Sequence, residues 1–251
     1  MDEIKGVCQM AEEELLAGEL ARSRCEKCGG SGVSVVANHP DETVVCPCVG
    51  GPARLWKDAN LPGGPLAGAT LASLDWQALS PAVVKAVQGY ANRLEGYLAT
   101  GVGLVLIGDV GTGKTHVAVG MAKIALGLGI GTLFLTMDDL LNRTRRTYDG
   151  TESDVQEVMD KLAKVPLLVL DDLGVETPTE WARGIYTLVN RRWLERKPLI
   201  VTTNLEPDDL EERLGTLTIS RLWGSCYTMR FNGADYRARQ LSAWLAAVRD
   251  S

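Results

Sequence analysis

Apolar runs alternate with amphipathic stretches from residue 80 onward. Ser80 and Pro81 begin a predicted helix that ends near Leu98, because serine is a favourable N-cap and proline at the first helical position loses no hydrogen bond. The run GVGLVLIG at 101–108 has no polar side chain, which is typical of a strand buried on both faces. Strands that alternate with helices predict a mostly parallel sheet covered by helices on both faces. The pattern predicts further strands at 132–135, 166–170 and 198–202. It also predicts helices at 114–128, 138–148, 153–164, 178–196 and 235–248, with shorter helices over 207–224.

A stretch rich in proline and glycine divides the chain. LPGGPLAG at 61–68 favours turns over any regular element, so we place a boundary there. The sequence then predicts three parts: an N-terminal segment at 1–60 with a helix near 10–22, a linker at 61–79, and the α/β domain at 80–251.

The sequence GDVGTGKT at 108–115 matches the phosphate-binding pattern G-x-x-x-x-G-K-[ST] in full, between a predicted strand and a predicted helix. Glycines let the backbone curl so that successive N–H groups face a polyphosphate, and the helix adds the positive end of its dipole. We expect Lys114 to reach the β- and γ-phosphates and the Thr115 hydroxyl to bind Mg²⁺. The predicted ATP-binding residues are Gly108, Gly111, Thr112, Gly113, Lys114 and Thr115.

Polar side chains end two further predicted strands. PLLVLDDLG at 166–174 places Asp171 at the carboxyl edge beside the phosphate loop, where it can bind Mg²⁺ through water. We expect Asp172 to point toward the γ-phosphate and polarise the attacking water. Asn204, at the end of VTTN, could orient the same water, because phosphoryl transfer depends mostly on positioning and charge stabilisation.

Composition and charge limit the classes of function that the chain can have. Hydrophobic residues make up 45% and charged residues 23%, which is ordinary for a globular protein. The net charge is −6, of which −4 lies in residues 1–60, so bulk charge does not hold this protein on nucleic acid. No apolar run is long enough for a membrane span, and the acidic N-terminus differs from a signal peptide. We therefore expect a cytoplasmic protein with no membrane partner.

Four of the six cysteines fall within 24 residues, as CEKC at 25–28 and CPC at 46–48. Two close pairs of thiolates across a loop suit tetrahedral Zn²⁺, so Cys25, Cys28, Cys46 and Cys48 are the predicted ligands of a small zinc-binding domain. C-x-C is less common than C-x2-C, which leaves His39 open as a substitute ligand. A redox dithiol is the competing interpretation, without the thioredoxin-like context that it needs. Cys8 and Cys226 are expected to be ordinary thiols.

The motifs GDVGTGKTH, LLVLDDLGVET, VTTN and ISRLWG together resemble the AAA+ helicase-loader family, the DnaC/DnaI-like proteins, to which the transposition helper IstB is related. The resemblance covers roughly residues 66–240 and implies a five-stranded parallel sheet of order 5-1-4-3-2 in an AAA+ ATPase domain at 80–251. It also implies assembly into a homo-oligomeric ring or spiral, in which Arg221 enters the ATP site of the adjacent subunit. Hydrolysis is then expected to be slow and stimulated by assembly, and Arg237 is a weaker candidate for sensing nucleotide.

The resemblance further implies an ATP-dependent loader that places a replicative helicase on single-stranded DNA and grips the helicase through residues 1–60. Two alternatives remain: an IstB-like ATPase that regulates transposition, and a zinc-dependent adaptor that uses ATP only as a switch. Single-strand binding needs cations along the backbone and aromatic rings for stacking. The candidate DNA contacts are Arg143, Arg146 and Tyr148 in LNRTRRTY, together with Thr179 and Trp181, which in the family face the central channel.

Overall fold

A computed structural model describes residues 33–36, 39–45, 55, 57–141, 152–174, 179–233 and 235–236. Of these, the side chains of 33–36, 39–45, 152–155, 157 and 179–181 are outside the description. No helix within these ranges is long and apolar enough to cross a bilayer.

An antiparallel hairpin lies between the two cysteine pairs of the sequence. Strand β1 spans Val33–Val36 and strand β2 spans His39–Val45. Val33 pairs with Val45 at the open end of the hairpin, and the register shifts between Val35 and Val36. The predicted helix near 10–22 lies outside the described residues.

Parallel strands and helices alternate through the rest of the chain, as the hydrophobic pattern predicts. Short 3-10 turns at Gly64–Leu66 and Trp76–Ala78 come first. The strands are β3 (Gly103–Gly108), β4 (Thr132–Thr136), β5 (Leu167–Asp171), β6 (Leu199–Thr203) and β7 (Cys226–Phe231). The helices are α1 (Pro81–Ala91), α2 (Leu94–Thr100), α3 (Lys114–Gly127), α4 (Glu152–Lys164), α5 (Thr179–Leu194), α6 (Pro207–Leu214) and α7 (Thr216–Ser225), and residues 137–141 are also helical.

The sheet runs β4-β5-β6-β3-β7 with parallel pairing throughout. Counting only these five strands in chain order, and starting from β7, the order is 5-1-4-3-2, so the predicted fold class is confirmed. β3 is therefore flanked by β6 and β7, which brings the ends of these strands to the phosphate loop that follows β3.

Two predicted boundaries differ from the structure for local reasons. The helix expected from Pro81 to Leu98 divides into α1 and α2, because Arg93 adopts φ −119° and ψ 13° instead of helical angles. β3 begins at Gly103 and not at Gly101, because Gly101 terminates α2 with φ +81°. Of the helices predicted at 138–148 and 235–248, residues 142–148 and 237–248 lie outside the described part.

Apolar side chains cover both faces of the sheet. Leu104 and Leu106 of β3 belong to the core layer under α1, α2 and α3, whereas Val105 and Ile107 belong to the layer under α4, α5, α6 and α7. This alternation along one strand is what a sheet buried on both faces requires.

The segment at 61–79, expected to be a linker, packs on this domain. Leu71 is fully buried in the core layer under α3, and a Cβ at Gly120 would lie 3.0 Å from the Leu71 backbone nitrogen. His116 and Lys123, on the same side of α3 as Gly120, form hydrogen bonds to the carbonyl oxygens of Thr70 and Ala67. The domain boundaries themselves stay a prediction.

Candidate nucleotide-binding site

The phosphate loop joins the end of β3 to the start of α3, and its glycines are required by the backbone. Gly111 has φ +74° and Gly113 has φ +97°, in the region that side chains disfavour. A Cβ at Gly108 would lie 1.9 Å from the carbonyl oxygen of Phe231 on the neighbouring β7. The loop therefore has the backbone conformation and the close packing that the motif predicts.

The Lys114 side chain is buried, with 4% of its surface exposed. Its Nζ donates hydrogen bonds to the carbonyl oxygens of Gly108 at 2.7 Å and Asp109 at 2.6 Å. Thr112 Oγ1 donates to the same Asp109 carbonyl at 2.7 Å. The ammonium group is thus hydrogen-bonded to the carbonyl oxygens of the first two residues of the phosphate loop.

Asp171 ends β5 and is buried. Its Oδ1 accepts hydrogen bonds from Thr115 Oγ1 at 3.0 Å and from Thr202 Oγ1 at 2.6 Å. Burial raises the pKa of the Asp171 carboxyl, and these two hydroxyl donors oppose that rise. The structure thus brings Asp171 to the first turn of α3, beside Thr115.

Asp172 follows at the exposed edge of the site, with φ +57°. Aspartate tolerates this left-handed conformation better than most residues. Its backbone N–H donates to Thr202 Oγ1 at 2.9 Å, and its Oδ1 accepts a hydrogen bond from Asn204 Nδ2 at 3.3 Å. The two residues expected to prepare the attacking water are therefore adjacent.

Two residues beside the site, Thr202 and Asp235, could not be predicted from the sequence. Thr202 links both acids, yet a threonine near the end of a strand carries no distinguishing pattern. Asp235 returns to the loop after β7: a Cβ at Gly111 would lie 1.8 Å from Asp235 Oδ1, and the Tyr236 N–H donates to the Gly111 carbonyl at 2.9 Å. Its contact with Gly111 spans 124 residues of chain, so only the fold reveals it.

Arg221 lies on α7 and contacts its own chain. Its guanidinium carbon is 3.9 Å from the centre of the Trp193 ring, and its Nε donates to Asn190 Oδ1 at 3.2 Å. None of the hydrogen bonds described for Arg221 is to a side chain of the phosphate loop.

The remaining predicted residues, or their side chains, lie outside the part of the chain that the structure describes. Thr179 and Trp181 belong to the first turn of α5, and their side chains are not described. The DNA candidates Arg143, Arg146 and Tyr148, the sensor candidate Arg237, and the cysteines Cys8, Cys25, Cys28, Cys46 and Cys48 lie outside the described residues. His39 begins β2. Within the described ranges, no group of three or more His, Cys, Asp or Glu could hold a metal ion.

A phosphate loop between β3 and α3, with a carboxylate from β5 at its side in a sheet of order 5-1-4-3-2, defines a P-loop nucleotide-binding protein of the AAA+ fold. The family model for IstB-like ATP-binding proteins matches residues 54–243. The chain therefore belongs to the IstB-like ATP-binding protein family, as the motifs predict.

Relatives of two kinds share this domain. The replicative helicase loader DnaC of Escherichia coli K12 is 28% identical over 152 residues, which are 60% of this chain and 61% of DnaC. The ATP-binding protein of insertion sequence IS5376 from Geobacillus stearothermophilus is 27% identical over 55% of this chain and 56% of its own length. The crystal structure of the DnaC helicase loader aligns with a TM-score of 0.52 and 25% identity, over 71% of this chain and 99% of that one. The chain thus spans about three fifths of the length of the curated relatives that it matches.

Proposed function

We propose that this protein is an ATP-dependent loader that places a replicative DNA helicase on single-stranded DNA. The observation that carries the proposal is the similarity to DnaC in both sequence and structure, which together cover most of the ATPase domain. ATP binding favours an assembled form that grips DNA, and hydrolysis releases it.

The residues of the site fit a nucleotide with Mg²⁺. A buried carboxylate that already accepts from the Thr115 hydroxyl offers oxygen ligands of the kind that Mg²⁺ prefers, and Thr115 and Asp171 would hold the ion. Mg²⁺ neutralises developing charge on the phosphates when it is bound. Gly108, Gly111, Thr112 and Gly113 supply the backbone N–H cradle, and Lys114 exchanges its loop carbonyls for phosphate oxygens.

Hydrolysis is proposed to follow from the pair formed by Asp172 and Asn204. Their hydrogen bond fixes the Asp172 carboxylate at the exposed edge of the site, where it can accept a proton from water that attacks the γ-phosphorus. Asp172 is exposed, so in the isolated chain bulk water competes with the attacking water for its carboxylate. This supports slow turnover by the isolated chain.

We propose that Arg221 of a neighbouring subunit completes the site and makes hydrolysis depend on assembly into a ring or spiral. Support comes from its place on α7 and from the absence of any described hydrogen bond to its own phosphate loop. An arginine supplied in trans stabilises charge on the transferred phosphoryl group.

The N-terminal segment is proposed to bind zinc and to grip the helicase. Val33 pairs with Val45, and Cys46 directly follows Val45, so the chain leaves the hairpin at the end where it entered from Cys28. This topology supports a ligand set of Cys25, Cys28, Cys46 and Cys48. Single-stranded DNA is proposed to contact Arg143, Arg146, Tyr148, Thr179 and Trp181.

A mixing experiment tests the shared ATP site. Lys114→Ala removes the phosphate-binding ammonium but retains Arg221, whereas Arg221→Ala retains a complete loop. Each variant alone should hydrolyse ATP at background rate, while a mixture should recover a substantial fraction of wild-type activity, because the two intact halves meet at some interfaces. Full activity of Arg221→Ala alone, or no recovery in the mixture, would contradict the proposal.

The IS5376 relative supports a second candidate, a transposition regulator that acts on duplex DNA. It predicts ATP-dependent filaments on duplex DNA and no affinity for a replicative helicase. The loader predicts ATP-dependent binding to single strands and co-purification with the helicase of the same genome. Electron microscopy with each DNA and a pull-down with and without ATP separate the two.

A further inference from the structure

The Arg221 guanidinium is held from two sides by one helix. Asn190 and Trp193 lie three residues apart on α5 and therefore share a face, which packs against α7. Arg221 Cζ lies over the Trp193 ring, 3.9 Å from its centroid, and Asn190 Oδ1 accepts a hydrogen bond from Arg221 Nε at 3.2 Å. The ring restrains the plane of the guanidinium, and the amide restrains its rotation within that plane.

The outer part of the same guanidinium is without a partner among the residues that the structure describes. Among the described residues, neither Nη atom of Arg221 donates a hydrogen bond and no carboxylate forms an ion pair with it. By contrast, Arg230 makes a bidentate contact with Glu206 at 2.7 and 2.8 Å. Arg221 is thus fixed by its inner edge, while the two groups suited to a phosphate remain available.

Exposed apolar side chains also lie on α5 and α7, the two helices that form this contact. Leu217 lies one turn before Arg221 on α7 and is 64% exposed, and Leu194, next to Trp193 on α5, is 65% exposed. Large apolar side chains with this exposure, beside a half-buried cation, are typical of a surface that another protein covers.

We propose that Trp193 and Asn190 are positioning residues that hold Arg221 in the orientation in which it enters the ATP site of a second copy of this chain. The inference rests on the proposed role of Arg221 in trans. Trp193 and Asn190 do not touch the nucleotide. They act by removing the freedom of a long side chain before assembly, so that its ordering cost is not incurred at the interface.

The test measures ATP hydrolysis over a series of protein concentrations, which separates the concentration for half-maximal assembly from the turnover of the assembled site. Trp193→Leu keeps apolar bulk but removes the ring face, Trp193→Phe keeps a ring, and Asn190→Ala removes the acceptor. We expect Trp193→Leu to lower the limiting turnover by about two- to fivefold, the effect of one cation–π contact at an exposed site. Trp193→Phe should retain most activity, and nucleotide affinity of the dilute protein should stay unchanged in all three.

A double variant distinguishes positioning from a general loss of structure. Arg221→Ala alone is expected to hydrolyse ATP at background rate, so the double variant is compared by its Tm. Trp193→Leu should leave the Tm of the Arg221→Ala protein unchanged, because Trp193 acts only through Arg221. Full turnover by Trp193→Leu and Asn190→Ala, while Arg221→Ala is inactive, would overturn the positioning role alone. A clear further fall in Tm in the double variant would also overturn it, because the lost turnover would then follow from a general loss of structure. Full turnover by Arg221→Ala would instead overturn the proposed function, so the two failures are distinguishable.

Discussion

Thr202 joins the two acids of the site through one buried hydroxyl, so Thr202→Val isolates that link. The residue is fully buried; its Oγ1 donates to Asp171 Oδ1 at 2.6 Å and accepts from the Asp172 N–H at 2.9 Å. Valine has nearly the same shape and suits a strand, so the change removes two hydrogen bonds and little else. One bond is to a charged group and the other is to the partly buried N–H of Asp172, and together they contribute about 3 kcal/mol.

That cost corresponds to a Tm lower by roughly 6–12 °C for a domain of this size. The effect depends on pH, because the lost hydroxyl opposes the rise that burial causes in the Asp171 pKa. A raised pKa means that Asp171 holds its proton more tightly in the folded state than in the unfolded state. Stability therefore falls as pH rises from the unfolded-state pKa through the folded-state pKa. The deficit of Thr202→Val should therefore be smaller at a pH where Asp171 is protonated.

Calorimetric titration with a non-hydrolysable ATP analogue at several Mg²⁺ concentrations measures the functional loss. Residues that orient a metal ligand typically contribute 10–100-fold to metal affinity. We therefore expect Thr202→Val to need about a tenfold higher Mg²⁺ concentration for half-maximal tightening of nucleotide binding. Thr202→Ser retains the hydroxyl and should behave as wild type. Thr203→Val is the matched control, because Thr203 Oγ1 bonds the Leu173 carbonyl and the Leu205 N–H but neither acid. A wild-type Tm and wild-type Mg²⁺ dependence in Thr202→Val would refute this account.

Three further changes test other parts of the structure. Arg192→Met should lower the free energy of unfolding in urea by about 3–5 kcal/mol. The reason is that the buried guanidinium donates hydrogen bonds to five carbonyls near the end of α4 and the starts of β5 and β6. Arg191→Met is the control, because it breaks only a half-exposed ion pair with Asp160 and should cost less than about 1 kcal/mol. Burial lowers the pKa of His116, so stability should fall as pH drops from the ordinary histidine value toward the lowered one, and His116→Gln should flatten that dependence. Removing zinc with a chelator, or changing Cys46 to Ser, should abolish helicase binding but leave nucleotide binding intact. Metal content is measured by atomic absorption. Retention of metal by Cys46→Ser would remove this residue from the ligand set.

Much of the fold was predictable because its signals are local. The apolar runs that became β3, β5 and β6 are buried on both faces, so each is a continuous hydrophobic stretch in the sequence. β7 gave no such signal. It is an edge strand, CYTMRF, in which only Met229 and Phe231 are buried, so its place in the sheet came from the family resemblance alone.

The same distinction holds for the site. The loop and Asp171 could be predicted, since one is a contiguous motif and the other ends an apolar strand. Thr202, Asp235 and the Trp193–Arg221 contact could not, because each depends on residues brought together from distant parts of the chain. The prolines and glycines of segment 61–79 favour turns, and the burial of Leu71 and Leu74 beside α3 is visible only in the fold.

Transfer of a helicase to DNA tests the central claim most directly. The replicative helicase of the same genome is incubated with single-stranded circles coated by single-strand-binding protein, with this protein and ATP, and helicase bound to the circles is measured after gel filtration. We predict that the wild-type chain deposits helicase only when ATP is present and that Lys114→Ala deposits none. Equal deposition with and without the wild-type chain, or equal deposition by wild type and Lys114→Ala, would contradict the account.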